Sequence, residues 1–181
     1  ITAQQKKYIE EYFNNVLNKV FSDHFIHEDW GYYPYFDIDS FLKHFIIGEL
    51  SGNTDTYWSV YMYKERGDQK LYTGPVWDFD IAFDNDSRTH NELNNPSGFL
   101  YSSGTASFAG GDNMQQFVTR IVKMDPVAKA RLKEMWNDLR DSGVITPESL
   151  VQYVNDTEQY LDQSQKLQYT RWNNLNFNVN E

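Results

Sequence analysis

Apolar side chains recur at Ile9, Phe13, Val16, Leu17, Val20 and Phe21, a helical period that predicts a helix over residues 3 to 21. Thr2 followed by Gln5 predicts a capping box at its start. A turn-rich stretch, "SDHFIHEDWGYYPYFD", separates it from a second helix, for which Asp39 or Ser40 is the expected cap. Phe41, Leu42, Phe45, Ile46 and Leu50 form its apolar side, and Gly52 and Asn53 in "SGN" should end it, because both tolerate a left-handed backbone.

The period then changes. "YWSVYMYK" and "QKLYTGPVW" are dense in aromatic and β-branched residues and flank the polar turn "ERGD", which reads as a β-hairpin. "DFDIAF" continues with polar and apolar residues in alternation, the pattern of a strand with one dry and one wet face. A long Asn-, Ser- and Gly-rich loop follows from Asp84 to Asn113, and loops of that length are commonly functional or disordered. The last third is helical. "NMQQFVTRIVKM" is amphipathic, "DPVAKARLKEMWNDLRDSG" carries Pro126 early and Gly143 as a C-cap, and Thr146 with Pro147 opens the final helix. The fold class expected is α+β, mostly α, with helices around a small β-hairpin in a single domain over 1–181.

At 181 residues with 40% apolar and 17% aromatic content, the chain can bury a proper core. Its 16 basic and 26 acidic residues leave a net charge of −10, which argues against nucleic acid, whose affinity for proteins rests on Lys and Arg. There is no cysteine, so disulfides, thiolate zinc sites and a thiol nucleophile are excluded. No apolar run approaches the roughly 20 residues of a membrane span. The start "ITAQQKK" reads as a piece of a longer protein, with any targeting signal outside it.

Most familiar chemistry is missing. There is no P-loop, no dinucleotide fingerprint, no nucleophile elbow and no zincin motif. "DNDSR" opens like a calcium loop but puts Arg88 at a ligand position. His24, His27 and Glu28 are a weak metal signal, better read as a solvated turn.

One arrangement remains. "GNTD" places Asp55 just after the second helix, and the hairpin that follows returns the chain to Asp78 and Asp80. Because a hairpin brings its ends together, these carboxylates should lie close in space. Converging carboxylates repel unless a cation or a proton is shared among them, and hard divalent ions such as Mg²⁺ take oxygen ligands. The plainer reading is that Asp55 caps a turn and that Asp78 and Asp80 line the wet face of an edge strand.

The stretch "FDIDSFLKHFIIGELSGNTDTYWSVYMYKERGDQKLYTGPVWDFDIAFDND" resembles the CotH kinase family: a helix with an acidic start, a "GN-x-D" turn, a "YxYK" strand and a "P-x-WDFD" strand end. The flanks, down to "YTRW", fit as well. The resemblance implies an atypical protein kinase that passes the γ-phosphoryl of ATP to Ser or Thr of surface or coat proteins, placed outside the cell or in its envelope. It implies Asp55 as catalytic aspartate, Asp78 as metal-binding aspartate and Asp80 as the second acid of that motif, with ATP and Mg²⁺ or Mn²⁺ as cofactors. Trp77 and Phe79 would then pack the strand end into the core. Where the family often carries a metal-binding Asn, Ser59 is the nearest polar residue, a poorer ligand. Residues 1 to 54 contain nothing like the nucleotide-cradling lobe of a kinase. The chain therefore resembles the C-lobe half of such a domain, with the N-terminal lobe of the same chain as its missing partner. The alternative is a non-catalytic surface or carbohydrate-associated module, for which Trp30, Tyr32, Tyr33, Tyr35 and Trp58 are candidate stacking faces.

Overall fold

A computed structural model describes residues 1–83, 85, 99–102 and 112–174. The order is helix α1 (Ala3–Val20), helix α2 (Ile38–Ser51), strands β1 (Met62–Tyr63) and β2 (Tyr72–Thr73), a 3₁₀ turn (Leu100–Ser102), helix α3 (Asp112–Thr119) running into a π-helical turn (Arg120–Met124), helix α4 (Pro126–Asp141) and helix α5 (Pro147–Arg171). The α+β, mostly helical class holds, with one two-stranded antiparallel sheet among the described residues. The chain divides into two compact units, the first Ile1–Leu132 and the second beginning at Lys133.

The predicted capping box is present: Thr2 Oγ1 accepts from the Gln5 amide at 3.2 Å, and the Gln5 side chain accepts from the Thr2 amide at 2.8 Å. The cap of α2 is neither Asp39 nor Ser40. Asp37, in extended backbone, accepts from the Ser40 amide at 2.8 Å. Asp39 lies inside the first turn and pairs instead with Arg131 at 2.8 Å. A helix starts at the acceptor whose own backbone is still extended, and here that is the earlier aspartate. Gly52 ends α2 in the left-handed conformation, φ 65°.

In the first unit Phe36, Phe41 and Phe117 meet with ring centroids 5.6 to 5.9 Å apart, joining α2 to α3 and to the segment before α2. Val16, Val20, Leu42, Leu71, Val118 and Ile121 are buried with them. The π-helical turn sends Arg120 to the carbonyls of Val20 and Ser22, both at 2.5 Å, closing the orphan end of α1. Asp125 is fully buried, yet it accepts from the Tyr32 and Tyr33 hydroxyls (2.5 and 2.8 Å) and from the amides of Val127 and Ala128 (2.8 and 3.0 Å). Those amides belong to the first turn of α4, so the carboxylate caps that helix. Burial and the bond to Asp125 push both tyrosine hydroxyls well above their ordinary range.

The hairpin pairs Met62 with Thr73 and Tyr63 with Tyr72, far fewer residues than the aromatic runs suggested. Gly74 extends the pairing by one bond, from its amide to the Tyr61 carbonyl at 2.8 Å. "DFDIAF" forms no strand. Asp78 and Phe83 have φ values of 57° and 55°, and two left-handed residues within six positions are incompatible with extended pairing. Most of the long loop from Asp84 to Asn113, including the rejected calcium motif, lies outside the described residues. Among the described residues no helix is long and apolar enough to cross a membrane.

Candidate functional site at the end of α2

The turn that carries Asp55 is built from buried polar groups. Asn53, Thr54 and Thr56 are all buried, although this is a loop. The Asn53 amide donates to the Gly48 carbonyl (3.2 Å), and Asn53 Oδ1 accepts from the Asp55 amide (3.1 Å). The Asn53 carbonyl takes both the amide and the hydroxyl of Thr56, at 3.0 and 2.5 Å. The Asp55 carbonyl accepts from the amides of Trp58 and Ser59, at 3.0 and 3.2 Å. Asp55 itself is half-buried.

Two side chains of α2 brace this turn. His44, buried, uses Nε2 to donate to the Thr56 carbonyl at 2.8 Å, which leaves Nδ1 as an acceptor with no hydrogen-bond partner among the described residues. Burial lowers its pKa below the ordinary histidine value, and the bond to Thr56 opposes that shift. Glu49, in the last turn of the helix, accepts from the Tyr57 hydroxyl (2.5 Å) and from the amides of Leu100 and Tyr101 (2.6 and 3.1 Å). Desolvation raises its carboxyl above the ordinary glutamate range against the pull of these three donors. Between them lies Gly48, whose absent Cβ would stand 2.2 Å from Thr56 Cγ2. Only glycine lets the turn approach the helix this closely.

Asp78 and Asp80 arrive differently. Residues 75 to 78 are exposed, Phe79 is half-buried and Asp80 is exposed. The segment is fastened after them: Ile81 and Ala82 are buried, and the Phe83 amide donates to the Ser51 carbonyl at 2.6 Å. The Asp55 turn and the Asp78–Phe83 segment are thus both attached to the last turn of α2. Asn85 adds a side-chain bond to the Asp80 carbonyl at 2.7 Å.

Trp77 is not core. It is half-exposed and packs edge-on against Tyr61, with centroids 5.3 Å apart. Ile81 and Ala82 take the anchoring role expected of Trp77 and Phe79. Ser59 is exposed, and its amide serves the turn. Among the described residues no group of three or more His, Asp or Glu side chains is arranged to hold a metal ion. His27 is engaged locally: Nδ1 accepts from the Asp29 amide (3.1 Å) and the ring stacks on Trp30 at 4.3 Å. Of the candidate stacking aromatics, Tyr32 is wholly buried, Tyr33 and Tyr35 are half-buried, and Trp30 and Trp58 are exposed.

Sequence reasoning missed Glu49, His44 and Gly48. Their signal was present: a His, a Gly and a Glu at positions that share or adjoin the buried side of an otherwise apolar helix. Asn53 was read as a helix terminator only, whereas its side chain also frames the turn.

A family model described as CotH kinase protein matches residues 1–181, and the chain belongs to the CotH kinase family. No curated protein and no solved structure matches it.

Proposed function

We propose, from membership of the CotH kinase family, that this chain supplies the C-lobe half of a protein kinase that transfers the γ-phosphoryl of ATP to Ser or Thr hydroxyls of surface or coat proteins. The family points to an extracellular or envelope location. The observation that carries the reading is the common anchorage of the Asp55 turn and the Asp78–Phe83 segment on the last turn of α2. Kinase chemistry asks for this division: one carboxylate to orient the acceptor hydroxyl and take its proton, another to hold the metal that bridges the phosphates.

In this reading Asp55 is the catalytic residue. Its backbone is fixed on both sides, through its amide and its carbonyl, so its carboxylate is presented from a rigid frame. Asp78 and Asp80 would hold Mg²⁺ or Mn²⁺, with Ser59 as the remaining candidate ligand. The donor set fits: Mg²⁺ is usually bound through one or two carboxylates, with phosphate oxygens and water completing its octahedron, so three clustered protein acids are not required. The left-handed backbone at Asp78 is the kind of local strain that accumulates where a side chain must point in a set direction. When bound, the ion would neutralise charge on the transferred phosphoryl. The nucleotide-cradling lobe would come from elsewhere in the same chain.

The test is calorimetric titration of ATP with Mg²⁺ or Mn²⁺ into this chain and into an N-terminally extended one, each beside its Asp78→Asn variant. Binding by the extended protein that Asp78→Asn abolishes supports the reading. No binding by either sinks it. A second reading, a non-catalytic carbohydrate-associated module, is favoured by exposed Trp58 and by Trp77 on Tyr61, since flat aromatic faces suit sugar rings. Glycan binding that survives Asp78→Ala would select it.

A further inference from the structure

Glu49 is a half-buried carboxylate of the first unit, outside the candidate catalytic set, that is held by donors from two other segments. Its Oε1 accepts from the Tyr57 hydroxyl and the Tyr101 amide, and its Oε2 accepts from the Leu100 amide. It therefore joins three segments: α2, the turn two residues beyond Asp55, and the 3₁₀ turn that follows residue 98. Tyr57, Leu100 and Tyr101 are all buried around it. The Trp58 and Ser59 amides, which hold the Asp55 carbonyl, directly follow Tyr57.

A half-buried, partly desolvated carboxylate is a poor choice for stability alone, because well-packed apolar side chains of similar volume commonly do as well or better. What it adds is direction. Three donors on one carboxylate fix the Tyr57 ring, and through it the start of the 57–59 turn, in a single orientation relative to the 3₁₀ turn.

We infer that Glu49 is a positioning residue: its carboxylate couples the Leu100–Ser102 turn to the Asp55 turn through Tyr57, setting the direction in which Asp55 is presented. The assignment of Asp55 rests on the proposed function above; the coupling itself does not.

The experiment compares the chain with its Glu49→Gln, Tyr57→Phe and double variants by amide hydrogen exchange, and measures phosphoryl transfer from ATP with Mg²⁺ in the extended protein. Glu49→Gln should accelerate exchange about ten-fold or more at Leu100 and Tyr101 and also at Trp58 and Ser59. Tyr57→Phe, the milder change, should do so at Trp58 and Ser59 while leaving Leu100 protected. The double variant should add nothing at Trp58 and Ser59. In the transfer assay Glu49→Gln should lower kcat per folded molecule roughly ten-fold with the KM for ATP unchanged. A denaturant melt at the assay temperature sets the folded fraction, so that a loss of general stability is divided out. Acceleration confined to Leu100 and Tyr101, or an unaltered kcat, overturns the inference. If the wild-type protein neither binds nor uses ATP with Mg²⁺, the kinase reading fails separately, and exchange at Trp58 and Ser59 still decides whether Glu49 couples the two turns.

Discussion

The two acidic segments at the end of α2 are held by opposite means. The Asp55 turn is fixed by buried polar side chains: Asn53 and Thr56 bond to backbone on either side of it, and His44 and Glu49 reach in from the helix. The Asp78 segment is exposed along residues 75 to 78; Trp77 rests on Tyr61 before it, and among the described residues its buried anchorage comes afterwards, through Ile81, Ala82 and the Phe83 bond to Ser51. The difference matches what the proposed function would ask of each carboxylate. A group that orients a hydroxyl must be in place before substrate arrives, since misplacement by an ångström costs orders of magnitude in rate. A group that binds a metal can be drawn into position by the ion, whose own charge dominates its surroundings. Rigidity is spent where nothing else can supply it.

The sharpest way to break this comparison is at Asp78. Asp78→Asn keeps the volume and removes the charge, so phosphoryl transfer should fall on the order of a hundred-fold or more, the scale at which electrostatic stabilisation is lost in active sites. Because the side chain is exposed, stability should change by no more than about 0.5 kcal/mol, as at other surface positions. Steady-state kinetics beside a denaturant melt would check both. A loss of stability comparable to the loss of activity would mean that Asp78 holds the segment together, contrary to the contrast drawn here.

Gly48→Ala tests the other side. The new Cβ would stand 2.2 Å from Thr56 Cγ2 and 2.4 Å from Oγ1, so the turn must move away from the helix. Overpacking of this kind costs about 1–3 kcal/mol. The displacement should also reach Asp55, because Thr56 shares the Asn53 carbonyl that organises the turn. Denaturant unfolding measures the first effect, and amide exchange at Trp58 and Ser59 the second. A neutral Gly48→Ala would show that the turn is not held by this close approach.

The helices were legible because the apolar period and its punctuation agree. Thr2 with Gln5, Gly52 and Thr146 with Pro147 stand at the observed ends. The cap of α2 was misread because three acceptors, Asp37, Asp39 and Ser40, fall within four residues, and sequence does not reveal which backbone stays extended. "DFDIAF" alternates as a strand does, yet the left-handed backbone at Asp78 and Phe83 breaks it, and non-glycine residues in that conformation leave little trace in sequence. Asp55, Asp78 and Asp80 were picked out as carboxylates at the two ends of a hairpin, and their roles came from the family pattern; that both segments attach to α2 was not foreseen. Glu49 and His44 were missed for a different reason. A polar residue on an apolar helix face has meaning only through partners 8 to 52 residues away.

These two residues also give the comparison a signature in pH. Burial depresses the His44 pKa below 6.5, so the unfolded chain binds a proton before the folded one does as pH falls. The stabilising contribution of neutral His44 is fully present above 6.5 and is lost as pH drops through its folded value. Glu49 runs the other way. Its folded-state pKa lies above 4.5, so its contribution is fully present below 4.5 and is lost as pH rises through the folded value. Stability measured from pH 4 to 8 should therefore change slope in opposite senses in the two variants: His44→Gln should flatten the acid-side decline, and Glu49→Gln should flatten the decline above 4.5. Identical slopes in both variants and wild type would mean that neither group is desolvated in the folded protein.

The smallest effect is the most discriminating. At φ 57° Asp78 carries a Cβ where glycine would carry none, and a left-handed L-residue costs roughly 1–2 kcal/mol, less for Asp, whose side chain bonds locally. Asp78→Gly relieves that cost but gives the unfolded chain more freedom, so the two terms should nearly cancel, with net stability unchanged or raised by less than about 1 kcal/mol. Binding of ATP with Mg²⁺ should vanish as it does in Asp78→Asn. Equal loss of binding together with equal or greater stability would show that this backbone geometry is kept for the carboxylate and not for the fold. If Asp78→Gly instead unfolds at markedly lower denaturant, the aspartate is a turn-forming residue, and the metal-binding role proposed for it loses its structural argument.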